Sequence, residues 1–123
     1  MEKQEFGRKV GFLLRAIKHL GATWEEFKWE DDFSVEFTLD NDVVVCAYEQ
    51  DGKLMYDVGY INVSGGSYME PPEYNYVPVL KSANMHLIIV EAFLIPKRWE
   101  LEGVLENFCM NQESRKYTSK IFV

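Results

Sequence analysis

Nucleophilic catalysis needs a serine or cysteine beside a base that is itself held in place, and this chain offers few bases. Its histidines are His19 and His86, and its cysteines are Cys46 and Cys109. No cysteine stands in a motif with either histidine. His19 falls near the end of a basic helical segment, where a helix C-terminus favours a solvated imidazole. His86 borders an apolar run, which points to packing or solvation rather than catalysis. Paired carboxylates can divide acid and base roles, but the close acids, Glu30-Asp31-Asp32 and Glu70 with Glu73, fall in loops where water keeps them ionised. Metal-binding spacings such as Cys-x-x-Cys and His-x-x-x-His do not occur. Asp40-Asn41-Asp42 resembles the opening of a calcium loop without its downstream Gly and Glu, and reads as a turn. Gly65-Gly66-Ser67 runs into aromatics and prolines instead of a helix, unlike a phosphate-binding loop. No catalytic residue, metal or cofactor is therefore expected, and an enzyme is the less favoured class.

Charge and aromatic placement carry more information. Residues 22–62 hold eleven acids against Lys28 and Lys53, a net −9 within a chain of net −7, while residues 1–21 are basic. Direct nucleic-acid binding rests on clustered Lys and Arg, so it is disfavoured. An acidic surface can instead steer toward a basic site on another protein, or serve only for solubility and edge protection. Tyr56 and Tyr60 share one strand face, as do Tyr74 and Tyr76, and Tyr68 precedes Glu70-Pro71-Pro72-Glu73. Tyrosines are common interface anchors because they bury a large rigid area and keep a polar tip wet. The candidate binding residues are thus Asp31, Asp32, Asp42, Tyr56, Tyr60, Tyr68, Glu70, Glu73 and Tyr74.

The elements that must position them follow from periodicity. Phe6, Val10, Leu13, Leu14 and Ile17 recur at helical spacing, and Gly21 provides a stop. Thr23 and Glu26 form a capping-box pair that predicts a short second helical turn bearing Trp24 and Phe27. From Phe33 the period changes to two. Strands are expected over Phe33–Leu39, Val43–Glu49 and Leu54–Val63, joined by Asp40-Asn41-Asp42 and by the Asp51-Gly52 hairpin signal. Tyr74–Leu80 reads as a further strand, pushed to an edge by Pro78. Met85–Ile95 reads as a strand because Ile88-Ile89-Val90 is β-branched, with a helix capped by Ser82 as the alternative. Pro96 then suits the first turn of a final helix. Residues 111–123 read as a loosely held tail, in which Ile121-Phe122-Val123 could dock or add a short strand.

The expected fold class is therefore α+β: an antiparallel sheet of four to five strands with an N-terminal and a C-terminal helix packed on one face. At 123 residues, with 47% hydrophobic content, one domain spanning 1–123 is expected. No apolar run is long enough for a membrane-spanning helix, and the first residues lack a signal-peptide pattern. Two unpaired, buried thiols and a cytoplasmic location are expected.

The stretch Tyr60–Leu80, a strand ending at Gly65-Gly66-Ser67-Tyr68, an acidic Pro-Pro-Glu crossing and a resumed strand, resembles small proteins of phages and prophages. That resemblance carries no catalytic residue and implies a mobile-element origin. Together these readings favour a small acidic protein-interaction module that inhibits or modulates a host protein through a basic surface on that partner. The alternative is a small-molecule or nucleotide binder using a tyrosine-lined sheet. Neither reading specifies an oligomeric state.

Overall fold

The computed structural model describes residues 1–116, the side chains of residues 25 and 111–116 excepted. Helix α1 (Lys3–His19) forms as its periodicity predicts and turns Phe6, Val10, Leu13 and Ile17 into the core. It ends where Gly21 takes φ +92° and Ala22 N–H donates back to the Ile17 carbonyl, a Schellman closure.

The chain then runs through five antiparallel strands, β1 (Trp24–Asp31), β2 (Ser34–Leu39), β3 (Val43–Gln50), β4 (Lys53–Gly65) and β5 (Pro72–Ser82), which lie side by side in sequence order. Register decides which residues face the helices. Val35, Phe37 and Leu39 of β2, Val43, Val45 and Ala47 of β3, and Leu54, Tyr56 and Val58 of β4 alternate onto one face and are buried there. Phe6 of α1 meets Trp29 and Phe33 edge-on, with ring centroids 5.9 and 5.8 Å apart.

Two expectations are corrected. Residues 24–28 belong to β1, not to a helical turn: Phe27 pairs with Phe37 and Trp29 with Val35, so the open β2 edge captures a segment whose own caps suggested a helix. Met85–Ile95 is helical, not a strand. It opens α2 (Met85–Lys116), with Asn84 rather than Ser82 as the capping side chain; its Oδ1 accepts from His86 N–H at 3.0 Å and Leu87 N–H at 3.4 Å. Pro96 therefore sits inside a long helix, not at its start. Ile88, Ile89, Ala92 and Ile95 bury this helix against the same sheet face as α1.

The structure is accordingly the expected α+β arrangement, an antiparallel sheet carrying an N-terminal and a C-terminal helix. β5 is an edge strand, where Pro72 and Pro78 are tolerated because no further ladder needs their missing N–H groups. Helix α2 continues through Lys116, so the first part of the proposed tail has helical backbone. The Ile121-Phe122-Val123 docking expectation lies outside the described residues.

Candidate functional site

Strand β4 outruns its neighbour. Tyr60 pairs with Val43, the first residue of β3, and beyond it β4 pairs with β5 alone from Ile61–Tyr76 to Gly65–Pro72. The result is a two-stranded arm overhanging one end of the sheet. Gly65 and Gly66 supply positive φ at its tip. Ser67 Oγ accepts from Met69 and Glu70 N–H at 3.3 and 3.2 Å, ordering a turn that holds Tyr68 fully in solvent.

Alternation along β4 and β5 sorts the tyrosines. Tyr56 and Tyr60 point to the helix side. Tyr56 is 2% exposed and belongs to the core, and Tyr60 packs edge-on to Trp99 of α2 at 5.1 Å. Neither stands on the sheet's other face. Tyr74 and Tyr76, paired with Val63 and Ile61, stand on that other, uncovered face. Gly59 makes room for Tyr76. A side chain at Gly59 would meet Tyr76 ring carbons at 2.8 Å, so the ring lies over the bare backbone.

The proposed acids divide likewise. Asp31 and Asp32 occupy the β1–β2 turn, where Asp32 pairs with Lys3 at 3.1 Å in solvent. Asp42, in the left-handed region at φ +65°, occupies the β2–β3 turn at the opposite end, beside the root of the arm. Glu70 and Glu73 lie on the arm itself. Eight residues of β3 separate the two ends, roughly 26 Å at strand rise. The structure thus brings Asp42, Tyr68, Glu70, Glu73 and Tyr74 into one region and leaves Asp31 and Asp32 remote from it.

Where arm meets sheet, the open face holds a hollow of about 290 Å³ lined by Glu36, Val44, Cys46, Ile61, Tyr74 and Tyr76. Three of these, Glu36, Cys46 and Tyr76, are functional candidates that sequence reasoning did not select. The strand alternation that placed Val35 and Phe37 inward already placed Glu36 outward. Burial, then the nearby carboxylates Glu36, Asp57 and Glu30, push the Cys46 thiol up to about 12. Burial likewise raises the Tyr76 phenol. Asp57 accepts from Tyr48 Oη at 3.2 Å, and Lys81 Nζ sits 5.5 Å above the Tyr48 ring. Glu36 has no ion-pair partner among the described residues.

This chemistry suits binding more than bond-making. A thiol held protonated near neutral pH is a poor nucleophile, and the sheet separates Cys46 from the helices that carry His19 and His86. The buried-thiol expectation is revised: Cys46 is half-buried, Cys109 is exposed on α2, and both are free. No cluster of metal-ligating residues occurs among the described residues, and no described helix is long and apolar enough to cross a membrane. A hollow of about 860 Å³ lies away from the arm, between α1 and the β3–β4 turn, where Arg8, Lys53 and Lys9, the last paired with Glu5 at 3.5 Å, face Phe12 and Tyr56. No protein family, curated protein or solved structure matches this chain.

Proposed function

We propose that this protein is a protein-interaction module whose open sheet face and overhanging arm receive a basic segment of a partner protein. The observation that carries the reading is the hollow at the arm's root: a carboxylate, Glu36, whose cross-strand neighbour Lys28 pairs with Glu30 at 3.7 Å, beside the rings of Tyr74 and Tyr76. A lysine or arginine entering it would meet an anion and aromatic faces together, and both attract cations. About 290 Å³ is room for one anchoring side chain. Tyr68, Glu70 and Glu73 on the arm would widen the contact and supply complementary charge. A mobile-element origin, which the phage resemblance implies, would make the partner a host protein and this chain its modulator.

A second reading is favoured by the hollow beside α1, whose Arg8, Lys9 and Lys53 outweigh Glu5 and suit a small anionic ligand such as a nucleotide. Selection from a displayed random-peptide library separates the two. The interaction reading expects Lys- or Arg-bearing peptides whose binding weakens at least tenfold in Glu36→Gln or Tyr76→Ala and falls with added salt. Acidic peptides, or peptides indifferent to both substitutions, would overturn it. Thermal stabilisation by nucleotides, abolished by Lys53→Ala, would favour the second reading.

A further inference from the structure

Helix α2 is apolar on two sides, and the sheet uses only one. Ile88, Ile89, Ala92 and Ile95 face the core, whereas Leu87, Val90 and Leu94 on the other side are 52%, 53% and 40% exposed. The outward series continues past the end of the core with Leu101, Val104 and Phe108, exposed by 61%, 63% and 57%. The spacing of this stripe is a heptad: Leu87, Leu94, Leu101 and Phe108 recur every seven residues, and Val90, Lys97 and Val104 fall three after each of the first three. A straight helix packing on a sheet follows a 3.6-residue period. A strict seven-residue repeat is the seam of helices that wind around each other.

We propose that this seam is a dimer interface in which α2 pairs antiparallel with α2 of a second copy of the chain. Size supports a second copy. The six apolar seam residues, with Leu105 beside them at 58% exposure, present roughly 700 Å² per copy, close to the ~800 Å² per partner of a standard interface. Charge fixes the direction. Parallel pairing sets Lys97 against Lys97 of the other copy, two cations in the middle of the seam. Antiparallel pairing sets Leu87 against Val104, Val90 against Leu101 and Lys97 against Leu94, so the lysines are staggered and each keeps its own Glu100 at 3.2 Å. The same register brings the flanking Glu91 of one copy toward Arg98 of the other. These residues already pair within one helix, and the dimer extends that pair into a four-charge group. Each half-helix beyond Trp99, whose Leu101, Val104, Leu105 and Phe108 are exposed, then covers the outward face of the partner's docked half.

Sedimentation of the full chain over a concentration series is expected to show a species at twice the 14.4 kDa chain mass. Leu101→Asp with Val104→Asp alters only residues that the core does not use. It should leave the circular dichroism of the fold intact while weakening dimerisation about a hundredfold or more. Glu91→Arg and Arg98→Glu, each alone, should weaken the dimer, and mixing the two variants should restore it as a heterodimer. A chain that stays monomeric at hundreds of micromolar, a dimer indifferent to Leu101→Asp with Val104→Asp, or single charge variants that do not recover on mixing would each overturn the proposal.

Discussion

Replacing Gly59 by alanine puts a methyl group against the facing strand β5. The added Cβ would overlap the Val77 backbone carbonyl and lie 2.8 Å from two carbons of the Tyr76 ring, against an ordinary contact of 3.4–4 Å. The ring can rotate away. The carbonyl cannot, because Val77 is held in the β4–β5 ladder beside the bulge between Val58 and Gly59. The strands must therefore separate locally. Overpacking of this kind costs about 1–3 kcal/mol, and one weakened ladder hydrogen bond adds about 1 kcal/mol. A loss near 3 kcal/mol is expected. With a urea m-value of about 1–3 kcal/mol/M, the denaturation midpoint should fall by roughly 1–3 M. Adding Tyr76→Ala should recover little, since the carbonyl overlap remains. Gly7→Ala is the matching control: it sits inside α1 with nothing within 4 Å, and should stabilise by up to about 1 kcal/mol. A Gly59→Ala protein within about 0.5 kcal/mol of the parent would refute the close β4–β5 approach on which the Tyr76 wall of the hollow depends.

The tyrosines separate by role: Tyr56→Ala should lower stability by about 3 kcal/mol or more in urea melts, whereas Tyr68→Ala should change it by less than about 0.5 kcal/mol. Cys46 should react with a thiol reagent at pH 8 at least about tenfold more slowly than a thiol of pKa near 8.5, as followed by mass spectrometry; comparable rates would contradict its burial. Because burial raises this thiol, the folded state favours its protonated form. That contribution is complete below pH 9 and is lost as pH rises toward about 12, so Cys46→Ser should flatten the alkaline decline of the denaturation midpoint. Asn84→Ala removes the acceptor that caps α2 and should cost about 1 kcal/mol, read from thermal melts, with Asn84→Asp near neutral.

The parts legible in the sequence were those whose local pattern agreed with their tertiary setting. β2 alternates because one face meets the helices and the other meets water, and Asp51-Gly52 turns at φ +53° and +75°, as a hairpin demands. β1 was hidden because Thr23 and Glu26 mimic a helix cap, while Phe27 and Trp29 reveal their alternation only once β2 lies beside them. Residues 85–95 misled for a different reason. A helix with apolar residues on two sides has no visible 3.6-residue period, and its β-branched triplet then favours a strand. The candidate site was half visible. Tyr74 and the arm's acids lie where the Pro-rich stretch suggested, but Glu36 and Cys46 are brought to Tyr76 by cross-strand register, which depends on three strands at once.

The proposed docking of a basic segment at the root of the β4–β5 arm would place its contacts around Glu36, Tyr74 and Tyr76. Its most direct test is an amide-resonance titration of the isotope-labelled protein with a Lys- or Arg-bearing peptide selected against it. Perturbed amides are expected to cluster at Glu36, Cys46, Ile61, Tyr74 and Tyr76, and Glu36→Gln should shrink the response. Perturbations confined to Arg8, Lys9 and Lys53 beside α1, with the sheet face silent, would contradict it.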